Sequence, residues 1–256
     1  MPEDALNTCV AITLPCGVLN KEGKVERNAE IVPMTGRVRK LIARPEVRTD
    51  GNKIIDEILR NCLKRVGSTT EISYSLLQGL LGADRDYILL KIRQASSGNT
   101  IRSQFACPAC RTNLNVDFNI DDIEVKELHE SDYEVRDGRR VFYLDLSEYN
   151  VKALFRYPNG ADQVQISKLA ERNPVEAEYR IYQSCLVEWN GETRDKLGQS
   201  FIEDLPVRIL DDLGPKFRDA LAGPDMNLTV DCSKCGNENT IALETSDFLF
   251  PIFPRR

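Results

Sequence analysis

Two cysteine pairs of identical spacing, Cys107-Pro108-Ala109-Cys110 and Cys232-Ser233-Lys234-Cys235, constrain this chain more than any other feature. A closed structural zinc site takes four sulfur or imidazole ligands, and one pair supplies two. Neither pair completes a site alone. The economical arrangement gathers Cys107, Cys110, Cys232 and Cys235 around one ion, so any fold must bring segments 125 positions apart into contact.

The same offset lays the flanking sequences in register. Leu80-Leu81 falls on Leu205-Pro206, Ile92-Arg93 on Phe217-Arg218, Ala95 on Ala220 and Gly98 on Gly223. Beyond the cysteines, Val116 falls on Ile241, Phe118 on Leu243 and Asp122 on Asp247. Cys62 precedes Cys107 by 45 positions and Cys185 precedes Cys232 by 47. The chain reads as a tandem duplication, with an N-terminal repeat over residues 1–125 and a C-terminal repeat over 126–256, each ending in a knuckle.

Composition narrows the class. With 41% hydrophobic and 29% charged residues, the 256-residue chain can bury a core and does not read as disordered. A net charge of −6 argues against a nucleic-acid grip, which concentrates Lys and Arg on one face. The start Met1-Pro2-Glu3-Asp4 is acidic and the apolar stretch Cys9 to Leu14 is short, so no secretory signal is expected. No run reaches the roughly 18 apolar residues of a membrane span. Without an export signal, the eight cysteines read as reduced thiols, available to a metal or buried.

Periodicity predicts an α+β fold, two tandem repeats of short sheet plus amphipathic helices joined through a zinc-ribbon-like four-cysteine site. Val10, Ile12 and Leu14 alternate as in a strand that stops at Leu14-Pro15-Cys16-Gly17. A weaker echo, Phe155-Arg156-Tyr157-Pro158-Asn159-Gly160, predicts a second Pro-x-Gly turn. On that equivalence the first half carries about twenty extra residues, in a stretch with Met34-Thr35-Gly36 and the basic run Arg37 to Arg44. Ile54, Ile55, Ile58, Leu59, Cys62 and Leu63 form one helical stripe. Its counterpart starts at Asn173-Pro174-Val175-Glu176, where Asn caps and Pro suits the first turn. A further helix follows in each half, one capped by Asp84 and the other after Leu205-Pro206, with Gly98 and Gly223 ending them. Asn113 to Phe118 alternates as a strand, and Asp137-Gly138 marks a hairpin turn.

Rival readings of the cysteines are weaker. A thioredoxin-type pair sits at a helix N-terminus, whereas these pairs lie between strands. A catalytic zinc needs an open position for water, which four sulfurs do not leave. A zinc-ribbon nucleic-acid-binding regulator is the alternative function. Arg111 and Lys234 flank the ligands, but Asp117, Asp121, Asp122, Asp231 and Glu238 would repel phosphate. Cys62 and Cys185 read as core thiols, Cys9 and Cys16 as inert, and His129, the single histidine, as a solvated linker residue. No Ser-His or Cys-His set and no phosphate loop is present, and helix capping and surface charge account for Asp84 and Asp86. The chain reads as non-enzymatic, with no catalytic residues. Its end, Phe248 to Arg256, is apolar among prolines, and Phe248, Phe250, Ile252 and Phe253 are candidates for docking a partner.

Together, Leu14-Pro15-Cys16-Gly17, Met34-Thr35-Gly36, the stretch Asp84 to Arg93 running to Gly98, and Cys107-Pro108-Ala109-Cys110 resemble the T4-type bacteriophage base-plate and tail-assembly family. The resemblance covers mainly residues 10–125, and the second half looks like the Cys-x-x-Cys-ended portion of longer tail-assembly relatives. It implies a non-enzymatic component or assembly factor of the base plate and hub in a contractile tail or related injection machine. The implied partners are other tail and hub proteins, and the implied location is the virion tail or the host cytoplasm during assembly.

Overall fold

The computed structural model describes residues 8–242, so the apolar tail from Phe248 to Phe253 lies outside the described residues, as do Leu243 and Asp247. Strands β1 (Val10–Leu19) and β2 (Val25–Ile31) form an antiparallel hairpin, and helices α1 (Gly36–Ile42), α2 (Pro45–Arg48) and α3 (Gly51–Cys62) follow. Strand β3 (Leu63–Val66) then pairs with β2 to complete the sheet β1-β2-β3. Helices α4 (Tyr74–Gly79) and α5 (Gly82–Ser97) lead into the hairpin β4 (Thr100–Ala106) and β5 (Asn113–Asn119), and β6 (Val125–Lys126) ends this half.

The rest of the chain follows a similar but not identical order. Strands β7 (Glu134–Arg136), β8 (Arg139–Leu146) and β9 (Val151–Arg156) precede helices α6 (Gly160–Ala170) and α7 (Pro174–Cys185). Strand β10 (Leu186–Trp189) returns to pair with β9, and β11 (Glu192–Thr193) lies beyond it, giving the sheet β11-β10-β9-β8-β7. Helices α8 (Arg194–Leu197) and α9 (Val207–Ala220), strand β12 (Gly223–Pro224) and the hairpin β13 (Asn227–Asp231) and β14 (Glu238–Ala242) complete the described fold. The protein is therefore mixed α and β, with several small antiparallel sheets.

Local chemistry sets these elements. Asp50 caps α3 by accepting from the Asn52 N–H at 3.1 Å, and Ile58, Leu59 and Cys62 bury its inner stripe. Asn173 caps α7, accepting from the Glu176 N–H at 3.2 Å, with Pro174 in the first turn as predicted. Helices α3 and α7 are each 12 residues long, each ends on a fully buried cysteine, and each runs straight into a four-residue strand. Asp137 (φ 50°) and Gly138 (φ 70°) are both left-handed, as a two-residue hairpin requires. Gly98 ends α5 at φ 83°.

Three expectations are corrected. Helix α5 begins at Gly82 behind Leu81 with no side-chain cap, because Asp84 is turned away from its own helix to bind β1. Helix α9 ends at Ala220, and Gly223 instead sits at φ 117° in β12, where its Cα approaches the Ala83 Cβ too closely for a side chain. Pro15-Cys16-Gly17 is not a turn: β1 runs through it, with a register shift between Thr13 and Val18 that bulges the segment out of the ladder. Asn159-Gly160 caps and opens α6, and Thr35-Gly36 caps and opens α1 in the same way. Gly36 precedes Cys62 by 26 positions and Gly160 precedes Cys185 by 25.

Two hydrophobic clusters form the core. One packs α3, α5 and the β1-β2-β3 sheet around Leu14, Ile31, Ile58, Leu59, Ile88 and Ile92. The other packs α7 and α9 on the five-stranded sheet around Phe142, Phe155, Tyr182 and Phe217, whose rings meet at tilted and edge-on angles. No described helix is long and apolar enough to cross a membrane.

Candidate metal centre

Each cysteine pair occupies the tip of a hairpin, the first between β4 and β5 and the second between β13 and β14. The two tips are built alike. In the first, the Cys107 N–H donates to the Thr112 carbonyl (2.9 Å) and the Arg111 N–H returns to the Cys107 carbonyl (2.7 Å). In the second, the Cys232 N–H donates to Asn237 and the Gly236 N–H to Cys232, both at 2.8 Å. The residue after each second cysteine is left-handed, Arg111 at φ 58° and Gly236 at φ 70°. This turn curls the intervening backbone so that both sulfurs of a pair face the same point.

The tips meet. Cys107 Sγ lies 3.8 Å from Cys235 Sγ and Cys110 Sγ lies 3.6 Å from Cys232 Sγ, with all four sulfurs within 4.8 Å of one another. None is in a disulfide. Sulfurs about 2.3 Å from a central zinc sit about 3.8 Å apart along the edges of a tetrahedron, so the spacing is that of a coordination shell. Cys107 and Cys232 are buried, Cys110 is half-buried and Cys235 exposed, and Leu114 and Phe105 pack beneath them.

The protonation pattern agrees with sulfurs crowded together. The Cys110 N–H and then the Ala109 N–H pull the Cys107 thiol below its ordinary value. The Thr112 hydroxyl and N–H bring Cys110 down to about 6. At Cys235 the Asn237 N–H acts in the same sense, but the neighbouring Cys232 and Cys110 side chains outweigh it and raise the thiol to about 12. Four thiolates at this spacing need a cation to coexist. All-sulfur tetrahedral donors select thiophilic ions such as zinc or iron and disfavour oxygen-seeking calcium and magnesium.

Asn239 was not legible as part of this centre. It is 5% exposed, its Nδ2 donates to the Val230 and Asn237 carbonyls (3.2 and 2.8 Å), and its Oδ1 lies 3.7 Å from Cys107 Sγ. A signal existed: at the offset of 125, Asn239 falls on inward-facing Leu114, and a polar residue at a core register position calls for polar company. The remaining cysteines stay away from the tetrad. Cys62 and Cys185 are buried at the ends of α3 and α7, Cys16 is buried in β1, and exposed Cys9 lies 3.6 Å from the Glu30 carboxylate. His129 is exposed and its backbone is capped by Asp132, which accepts from its N–H at 2.9 Å.

Contacts between the two halves also run far from the sulfurs. Strand β6 pairs with β12, and the Asp225 N–H donates to the Glu124 carbonyl at 2.8 Å. The α4–α5 junction exchanges two backbone bonds with the turn before α6, Gly82 N–H to Pro158 O (3.0 Å) and Gly160 N–H to Leu80 O (2.9 Å). Arg85, 1% exposed, bridges Asp56 (3.0 Å), the Leu77 carbonyl (2.7 Å) and, across the boundary, Gln163 Oε1 (3.0 Å). The Gln163 amide in turn donates to Asp86 at 3.2 Å. Asp84 and Asp86 are therefore neither caps nor surface charges.

The fold and site define a mixed α and β protein whose four-cysteine cluster, at the meeting point of two hairpins, is compatible with a metal site. The family is more specific: residues 21–250 match the family model described as T4 bacteriophage base plate protein, and the chain belongs to that family. The match takes in both knuckles, so the second half is as much part of the family as the first. No curated protein and no solved structure matches the chain.

Proposed function

We propose that this chain is a non-enzymatic component or assembly factor of the base plate and hub of a contractile phage tail or related injection machine. The observation that carries the reading is the family match across both halves. The polar residues also fit it. Buried Arg85 and Asp56 are turned on each other, Arg85 also on Gln163, and Asp84 on the backbone of β1.

Within this reading, Cys107, Cys110, Cys232 and Cys235 hold one structural Zn²⁺, whose closed thiolate shell leaves no position for water. The zinc clasps two halves, 1–125 and 126–256, that arose by tandem duplication. The common element order, the matched cysteine-ended helices and the like-built knuckles support that origin. Partners are other tail and hub proteins, docking on surfaces outside the knuckles, with Phe248, Phe250, Ile252 and Phe253 as a further contact. The acidic net charge of −6 disfavours the zinc-ribbon regulator of nucleic acid.

Deleting the coding sequence and following particle assembly tests the role. The proposal expects tails or base plates to be missing or incomplete, with the protein recovered in base-plate or hub intermediates by mass spectrometry. Complete, infectious particles without it would refute an essential assembly role. Its presence in purified particles distinguishes a resident subunit from a factor that leaves.

A further inference from the structure

Helices α1 and α2 carry a basic surface that the fold does not use. Val38, Ile42 and Val47 turn inward against α3, which leaves Arg37, Arg39, Lys40, Arg44 and Arg48 exposed, with Glu46 as the single acid between positions 37 and 48. Arg37, Arg39 and Lys40 stand on α1, Arg44 in the extended link between the helices and Arg48 at the end of α2. None of the five makes an ion pair among the described residues, whereas Arg27, Arg65, Arg85, Arg156 and Arg218 all do. Like charges packed on a short segment repel one another, and an opposing surface relieves that repulsion.

The chain itself carries that opposing surface. Between positions 121 and 130, Asp121, Asp122, Glu124, Glu127 and Glu130 are exposed against one cation, Lys126. Asp121 is held by Lys91 at 3.9 Å and Glu127 by Arg27 at 2.8 Å, while Asp122, Glu124 and Glu130 make no ion pair among the described residues. The segment has fixed form, with Ile123 and Leu128 buried and β6 paired to β12, so its carboxylates are presented rather than loose. No ion pair joins the two patches within one molecule.

We propose that the α1–α2 basic surface of one copy docks on the acidic 121–130 segment of a second copy. A patch meeting a different patch is a heterologous contact, which closes a ring where the rotation permits and otherwise extends into a filament. The contact is electrostatic, so it forms at low ionic strength and dissolves as salt shortens the reach of the charges.

Sedimentation velocity of the full, metal-loaded chain tests this. In about 0.01 M salt, where charges act over about 30 Å, concentration-dependent association is expected, and screening to about 3 Å near 1 M salt should weaken it by about tenfold or more. Arg37→Glu with Lys40→Glu and Arg44→Glu should leave the chain monomeric at low salt, and so should Asp122→Lys with Glu124→Lys and Glu130→Lys. Mixing the two variants should restore association, because each keeps the reversed partner of the other. A wild-type monomer at low salt would overturn the proposal, as would association indifferent to either set of reversals or a mixture that does not recover. Binding of a duplex oligonucleotide without self-association would assign the basic patch to nucleic acid instead.

Discussion

Asp84 is the residue on which most of the local order converges. The bulge at Leu14-Pro15-Cys16-Gly17 leaves backbone groups outside the β1–β2 ladder, and each needs a partner. Asp84 Oδ1 accepts from the Cys16 N–H at 2.8 Å, Arg140 donates to the Cys16 carbonyl at 2.7 Å and to that of Gly17, and the Leu128 N–H donates to Pro15 O at 2.9 Å. Asp84 Oδ2 is buried with no hydrogen-bond partner among the described residues, and burial raises the carboxyl to about 6. A carboxyl whose folded pKa lies above its unfolded value binds more protons when folded, so its contribution to stability falls as pH rises from about 4 to about 6. Above that range the folded protein carries a buried, half-satisfied charge. Asp84→Asn should therefore stabilise the protein at pH 7 by on the order of 1–3 kcal/mol and change little at pH 4. Thermal melts of both proteins across that range read the difference, and a gap that stays constant with pH would contradict the assignment. Asp86, raised to about 6 by burial, is present in both proteins and cancels in the comparison. The sequence offered Asp84 as a helix cap because an acid near a helix start is the common local pattern. Its actual partner lies 68 positions away, which local pattern cannot reach.

At the scale of elements, the seam where α4, α5 and α6 meet carries the strictest packing. A Cβ on Gly160 would lie 2.6 Å from the Leu77 carbonyl and 2.7–2.8 Å from atoms of Arg85. Gly160→Ala should therefore destabilise by about 1–3 kcal/mol, while Gly138→Ala changes nothing by contact and acts only through its left-handed backbone. Chemical denaturation distinguishes the two, and a Gly160→Ala protein as stable as wild type would show that the seam can open. Arg85→Ala leaves Asp56 buried without its cation and should cost about 3–5 kcal/mol. Elements with local signals were legible: α3 from its stripe, α7 from its cap and stripe, the Asp137-Gly138 hairpin, and β5 from its alternation. Those set by distant contacts were not. Proline and glycine in Leu14-Pro15-Cys16-Gly17 imitate a turn, and only the Asp84 and Arg140 contacts make the segment a bulge. Buried Asp56 hid in the same way, since an acid on a helix reads as surface until the cation above it is known.

At the scale of the molecule, the cysteine spacing alone anticipated that the two hairpin tips meet, because a closed shell forces distant pairs together. The β6–β12 ladder and the α4–α6 seam had no such signal, and they mean that the halves touch at several places beside the sulfurs. The two main hydrophobic clusters are built chiefly from different halves of the chain, although Cys16 belongs to the second and Met226 packs on the first. Under the proposed zinc clasp, chelation should therefore lower the melting temperature while leaving helical circular dichroism largely intact at 25 °C, since the helices pack in clusters apart from the knuckles. Loss of all helical signal on chelation would place the metal at the centre of folding instead. The most direct test of the clasp is elemental analysis of the purified chain and of Cys232→Ser, with metal content and mass read on the same samples. The account predicts one zinc per wild-type chain, no stoichiometric iron, and loss of most of the zinc in the variant. A wild-type chain without zinc, or a Cys232→Ser chain that retains one, would contradict a single site shared by Cys107, Cys110, Cys232 and Cys235.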